Sequence, residues 1–486
     1  MLKIYTSLTF SLAIILSSCD LVKDLDDYSP KYSVDAEFAI HDQTSAEQAL
    51  TGVYAGWAQS SKLTGMPDIM IIPSLLGITA SQGEAGESRF LALNKPNKEM
   101  KSIEGGYLSL YSIINRANWV IEKVSLLSGD KFSNPKRKRE ILGEAKTMRA
   151  LAHFYLLRLW GQYYDTSSKY GIVITLEPTR TKDAKARSTV EETYQAILND
   201  LNDAIIEAPI LRKKIFANQT FAKSLKAKVL LYKGSFSEAS QTAKEVIDHA
   251  SENFGLLNDF QSLFDLTTPD VFDNKEALFC AYGDKIHGLG LSAYWLGSFC
   301  SISNRYQELA KNGGAIINDQ VIKYDSTRIS FISPNSEINT NNKYQRAPYE
   351  IAYHMRMAEI YLIFAEANAR THKKTYQDAL WALNLIRKRA GAHSVRSDGF
   401  NTYPSDISNK KLLEAIRIEK MMELGTENGE SWFDLVRYAY IDGGFESGFK
   451  VYDEKSAAIN PDKYILPIPE ESVKSGNQTV IQNPSY

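Results

Sequence analysis

FAKSLKAKVLLYKGSFSEASQTAKEVIDHA, residues 221–250, decides the architecture. Ala222, Leu225, Val229 and Tyr232 step by three or four residues and so share one helical face. Gly234 interrupts, and Phe236, Ala239, Ala243 and Val246 begin the same pattern again. The spacing predicts two amphipathic helices joined by a tight turn, and the alanines let the pair approach closely. Each apolar stripe needs a partner, so such a pair belongs in a stack of helices.

The same periodicity extends outward in both directions. It runs through Ala46, Leu50, Val53 and Trp57, then Tyr107 to Val124, then Ile141 to Leu159. A further stripe from Val190 to Ala208 follows Thr189 and Glu192, which have capping-box spacing. A second pair occupies 355–390, where Met357, Ile360 and Phe364 lead into Tyr376, Ala379, Leu383 and Ile386. Aromatic-turn-aromatic pairs of this kind resemble tetratricopeptide units, although the uneven spacing rules out a regular solenoid. The expected fold is all-α: a tetratricopeptide-like helical-repeat scaffold with long irregular insertions and minor β-strands. Helix pairs are expected at about 44–60, 106–164, 189–250, 355–390 and 409–438, within one domain over 35–486. Insertions at 62–104, 165–186, 254–349 and 391–408 are rich in Gly, Asn, Ser and Pro. They are too long for connectors and read as functional or covering segments. Gly171–Leu176 and Ala277–Tyr282 read as short strands within them.

The 486 residues are 44% apolar and carry a net charge of −2, so no electrostatic case exists for a nucleic-acid partner. Three cysteines cannot supply a disulfide framework or a zinc cluster. Lys3 followed by the apolar stretch 4–16 reads as a signal peptide over 1–18. It ends in Leu16-Ser17-Ser18-Cys19, the pattern after which Cys19 is lipidated. Residues 19–34, acidic at Asp24, Asp26 and Asp27, read as a flexible tether. An exported chain permits a Cys280–Cys300 disulfide, and the sequence leaves that pairing open.

Signatures of catalysis are sparse. HExxH, GxSxG and Walker patterns do not occur. Gly288-Leu289-Gly290-Leu291-Ser292-Ala293 fits the loosest dinucleotide pattern but lacks the βαβ setting that gives it meaning. The seven histidines have no metal-ligand spacing, and His153 reads as a packed residue. Glu423 and Glu427 share a helical face near Lys420 and Arg437, which favours a salt-bridge network over an acid–base pair. No cofactor or metal is expected.

Four segments resemble the SusD/RagB family of outer-membrane nutrient-binding lipoproteins. They are GEAKTMRALAHFYLLRLWGQ at 143–162, MRMAEIYLIFAEANAR at 355–370, IRIEKMMELGTENGESWFDLVRYA at 416–439, and the close YILPIPEESV with VIQNPSY. Three departures stand out. Lys420 replaces a frequent Arg, the stretch 427–431 is one residue longer, and Ser485 replaces Gly. The resemblance implies a surface lipoprotein, held in outer-membrane lipid through Cys19, that captures oligosaccharides without catalysis. It would hand them to a SusC-like TonB-dependent transporter. A peptide ligand is the alternative implied by the RagB branch; a glycoside hydrolase or a purely structural lid are further readings.

A sugar offers C–H faces to aromatic rings and edge hydroxyls to Asn, Asp, Gln and Arg. The segment 283–307 concentrates Tyr294, Trp295, Phe299, Asn304, Arg305 and Tyr306 and is the first candidate site. The second is 62–104, with Asp68, Gln82, Arg89 and Phe90. At Trp295 and Phe299, four residues apart, the competing reading is a short helix packed on the core.

Overall fold

The computed structural model describes residues 36–486 apart from 59, 62–63, 84–85, 182, 285–287, 296–298, 335–339, 446–449 and 478. The stretches expected to be signal peptide and tether, with Cys19 between them, therefore lie outside the described residues. Among the described residues no helix is long and apolar enough to cross a membrane.

The helices are α1 (Gln43–Ala58), α2 (Met66–Leu76), α3 (Gly86–Ala92), α4 (Lys101–Leu126), α5 (Pro135–Trp160), α6 (Val190–Glu207), α7 (Gln219–Lys233) and α8 (Phe236–Asp248). After a long irregular stretch come α9 (Asn304–Asn312), α10 (Thr327–Ile332), α11 (Met357–Thr371), α12 (Gln377–Arg389), α13 (Asn409–Leu424) and α14 (Glu430–Ile441). Short helices α15 (Val451–Glu454) and α16 (Glu470–Ser475) follow. From α4 to α8 each helix packs on the next; α8 then packs on α11, which carries α12 and α13. The fold is thus all-α and tetratricopeptide-like, with the apolar stripes facing inward: Ala222, Leu225, Val229, Tyr232, Ala239, Ala243 and Val246 are all buried.

Local chemistry explains the boundaries. Gly234 ends α7 at φ 87°, a left-handed turn that costs glycine nothing. Thr189 and Glu192 form the expected capping box on α6. Gly143 lies where α5 meets the end of α6; an added Cβ would sit 2.3 Å from the Ala208 nitrogen.

Among the described residues the strands make four antiparallel pairs, the shortest being Ser60–Ser61 with Thr64–Gly65. β1 (Ala80–Gln82) pairs with β3 (Cys300–Ile302), β2 (Ala277–Gly283) with β6 (Glu350–Arg356), and β4 (Gly314–Ile317) with β5 (Gln320–Lys323). Gly171–Leu176 does not form a strand: among the described residues its backbone pairs only with that of Ser188, where Gly171 N donates to Ser188 O and Ser188 N to Ile172 O. Side chains take carbonyls further along: Tyr111 donates to Val173 O, and Asn118 to Thr175 O and, just beyond the segment, to Glu177 O. The region 62–104 holds α2, α3, β1, the two-residue strand Thr64–Gly65 and the start of α4 where the sequence suggested an aperiodic loop. In α2 the apolar residues are almost continuous, Ile69, Met70, Ile71, Ile72, Leu75 and Leu76, and all are buried, so no amphipathic period marks it.

The centre of the molecule is ionic. Glu423 takes Arg328 at 2.6 Å and also Arg356 and Arg389; Glu427 takes Arg356 at 2.9 Å and Lys343. Burial alone would raise the Glu423 carboxyl, but Arg389, Arg356 and Arg328 outweigh it and hold it well below its ordinary value. These glutamates therefore bind helices together as a network, though not to the cations nearest in sequence. Lys420 and Arg437 pair with Asp434, each at 2.6 Å, and with Glu366 at 3.9 and 2.6 Å. Lys420 thus keeps the cationic role of the usual Arg. Arg356 closes β6 immediately before α11 begins. Ser485 sits at φ 62°, which explains why glycine is usual there.

Candidate functional site

The two insertions singled out as candidate sites meet. Residues 80–82 pair with 300–302 in register, Ser81 and Ser301 hydroxyls lie 2.9 Å apart, and Gly83 N donates to Phe299 O at 2.9 Å. α3 packs on β1 and α2, so the face of this small sheet is braced by helix from below. Gly83 N also reaches the hydroxyl of Ser88, which is fully buried. The Glu87 carboxylate is engaged elsewhere. It receives Lys101 N at 2.8 Å and the Ser102 hydroxyl at 2.6 Å, anchoring the start of α4.

On this support stand several side chains with exposed surface. Phe90 is 48% exposed and Leu93 40%, while Gln82 and Arg89 are exposed beside them. From the other insertion come Tyr294 and Phe299, both part-buried, with ring centroids 5.2 Å apart at 63°. Asn304 and Arg305, in the first turn of α9, are exposed. The two joined insertions therefore carry both aromatic rings and hydrogen-bonding tips with exposed surface.

Asp68 lies beneath it, only 4% exposed, and bonds the Tyr294 side chain. Burial, then the nearby Glu87 charge, pushes its carboxyl up to about 7 against the opposing effect of the Tyr294 bond. Burial and the Asp68 charge also raise the Tyr294 hydroxyl far above its ordinary value. Asp68 thus holds Tyr294 in place rather than meeting solvent.

Two other expected residues turn inward. Trp295 is 1% exposed and stacks on Tyr344 at 6.0 Å and 16°, a core contact. Tyr306 is 1% exposed and donates its hydroxyl to Met421 O at 3.0 Å. Both are large, polar-tipped rings in a loop-rich stretch, and composition does not separate inward from outward members. Of the ten expected residues the structure places Tyr294, Phe299, Asn304, Arg305, Gln82, Arg89 and Phe90 at or near the surface, with Asp68 in support.

Cys280 and Cys300 are free, buried thiols. The glycine-rich stretch at 288–293 has an internal purpose: Gly290 N and Ser292 N each donate to the Glu350 carboxylate at 2.9 Å. His153 is buried, and desolvation, then Arg149, lowers it to about 3. Sequence reasoning did not single out Tyr282 and Tyr349, whose part-buried rings stack at 5.7 Å and 21° where the chain leaves β2. The signal present was the pairing of strand ends, which requires knowing that β2 meets β6. Among the described residues no cluster of His, Cys, Asp and Glu is arranged to hold a metal.

Comparison with known proteins follows the same lines. Residues 331–486 match the SusD family, and residues 42–230 match the family described as starch-binding associating with outer membrane. A SusD-like protein of Bacteroides ovatus is 24% identical over 398 residues, covering 70% of this chain and 66% of the relative, just under two thirds of its length. Among solved structures, a SusD homolog from Bacteroides thetaiotaomicron superposes with TM-score 0.71 at 19% identity, covering 94% of this chain and 99% of the other. A laminarin-binding SusD-like protein gives TM-score 0.69 at 18% identity, covering 92% and 100%. The fold and its ionic centre define a tetratricopeptide-like scaffold with a braced loop platform. The chain belongs to the SusD/RagB family.

Proposed function

We propose that this protein is a surface lipoprotein that binds oligosaccharides on the β1–β3 platform and passes them to a SusC-like TonB-dependent outer-membrane transporter. The observation that carries the reading is the meeting of two long insertions at β1 and β3, which bear the part-buried rings of Tyr294 and Phe299 and the exposed Phe90, Gln82, Arg89, Asn304 and Arg305. Rings stack on the C–H face of a pyranose while amide and guanidinium tips take its hydroxyls. Family membership and the laminarin-binding neighbour support a glycan as the ligand. Lipidation at Cys19, with residues 19–34 as a tether, would keep the single domain 35–486 at the membrane surface. The largest group of buried carboxylates is committed to arginines and lysines, which supports binding without catalysis.

The test is affinity electrophoresis of the full-length protein, in a detergent without a sugar headgroup, through gels carrying laminarin, starch, other polysaccharides or none. Retardation by one glycan class is expected, with no release of shorter sugars on incubation. Retention only by immobilised peptides would overturn the carbohydrate reading.

A further inference from the structure

A cleft of about 730 Å³ that shares no lining residue with the platform lies between α4, residues 173–181 and 183–185, and the C-terminal α16 with Gly476 and Val480. Its size falls in the range of roughly 300–1,000 Å³ usual for small-molecule sites. It gives a use to the 165–186 insertion, which the platform leaves unexplained.

The cleft is preformed. Tyr107 and Tyr111 make the floor, with ring centroids 4.8 Å apart. One wall is pinned from behind. Asn115 receives Thr179 N at 2.8 Å, Asn118 donates to Thr175 O and Glu177 O, and Arg149 donates to Leu176 O at 3.0 Å. Arg187 fixes the base by donating to Trp160 O, Gly171 O and Ile481 O. Arg180 is held by Glu37 and Glu122. A wall so pinned loses little freedom when a ligand arrives.

The lining limits what that ligand is. Four charged residues, Glu177, Asp183, Arg180 and Lys185, sum to zero, so no net charge is selected. Thr175, Thr179 and Thr181 face the cleft from one wall and Ser472 and Ser475 from the other, over the two tyrosines. An added peptide strand would need unpaired backbone carbonyls, and those of 173 and 175–177 are already occupied. Side-chain hydroxyls above aromatic rings suit an uncharged polyhydroxylated chain.

We propose that this cleft is a second saccharide-binding site, so that one molecule engages a long glycan at two places. The proposal rests on the glycan reading of the platform. Two linked contacts would favour polymers over short oligomers through effective concentration.

The test is calorimetric titration of laminarihexaose and of maltohexaose into the full-length protein in the same detergent. Two variants fill the cleft from opposite walls at exposed positions, Ser475→Trp and Thr179→Phe; Phe90→Ala addresses the platform. The expected result is two sites per molecule for one of the hexasaccharides. Each cleft variant should weaken one of them at least tenfold, Phe90→Ala should weaken the other, and thermal unfolding should be unchanged. A single site that ignores both cleft variants and is lost in Phe90→Ala would overturn the second site and leave the platform standing. A single site lost in both cleft variants and kept in Phe90→Ala would support the cleft and overturn the platform. Absence of binding by both sugars would overturn both.

Discussion

Glu430→Ala is expected to destabilise the fold by about 3–5 kcal/mol, enough to lower the melting temperature by many degrees or prevent folding. Glu430 is 1% exposed and is the carboxylate paired with Arg158 at the junction of α5 and α14. It also takes Lys228 at 2.6 Å and the Tyr232 hydroxyl at 2.8 Å. Lys228 retains Glu359 at 2.6 Å, but the buried guanidinium of Arg158 would be left among the rings of Phe154, Tyr155, Tyr232 and Phe433. Those ring faces offset part of its lost pairing, not a whole charge.

The same pair predicts acid lability. Burial would raise the Glu430 carboxyl, but Lys228 and Arg158 reverse that and hold it well below its ordinary 4.5. Its folded value is the lower, so its contribution is complete above about pH 4.5 and is lost as pH falls towards the folded value. Glu430→Gln should therefore be less stable than the natural protein at pH 7, with the gap closing below pH 4.5. Denaturant unfolding at pH 7 and pH 3 measures this, and a gap independent of pH would contradict the assignment.

Gly143→Ala should also be severe, costing about 3 kcal/mol, near the upper end of ordinary overpacking. On propensity alone alanine in a helix is better than glycine by about 1 kcal/mol. Here the new Cβ would lie 2.3 Å from Ala208 N and 2.7 Å from Glu207 C, backbone atoms that cannot rotate away. α5 and α6 would have to separate, straining the Lys146 bridges to Asp203 and Glu207. Gly52→Ala is the matched comparison: nothing lies within 4 Å of its Cβ position, and a gain of about 0.5–1 kcal/mol is expected. Thermal melts of the two variants decide the matter; equal shifts would show that propensity, not contact, governs Gly143.

These residues also show what was legible beforehand. The stripes from Ala222 to Val246 are periodic because each helix buries one face, so the scaffold could be read from spacing. α2 was illegible because it is apolar almost all round and carries Pro73 within it. Gly171–Leu176 reads like a strand by composition, yet Tyr111 and Asn118, far away in sequence, take its carbonyls. The platform was half legible: both insertions stood out by composition, but their joining at 80–82 and 300–302 is a pairing across some 220 residues. Trp295 and Tyr294 are neighbours of similar chemistry, and only the packing of Tyr344 and the bond to Asp68 tell their directions apart. The motifs that carry the family resemblance proved to be fastenings. Asn483 donates to Trp160 O and Leu466 O, and Gln482 bonds Ile468 through both its nitrogen and its carbonyl, so the chain end is laced to α5.

The most direct test of the platform is a crystal structure of the protein grown with the hexasaccharide of the glycan class that retards it. The account predicts a sugar ring within about 4 Å of Phe90, Tyr294 or Phe299, with Gln82, Arg89, Asn304 or Arg305 on its hydroxyls. Sugar bound only elsewhere on the molecule, or none at saturating concentration, would contradict it.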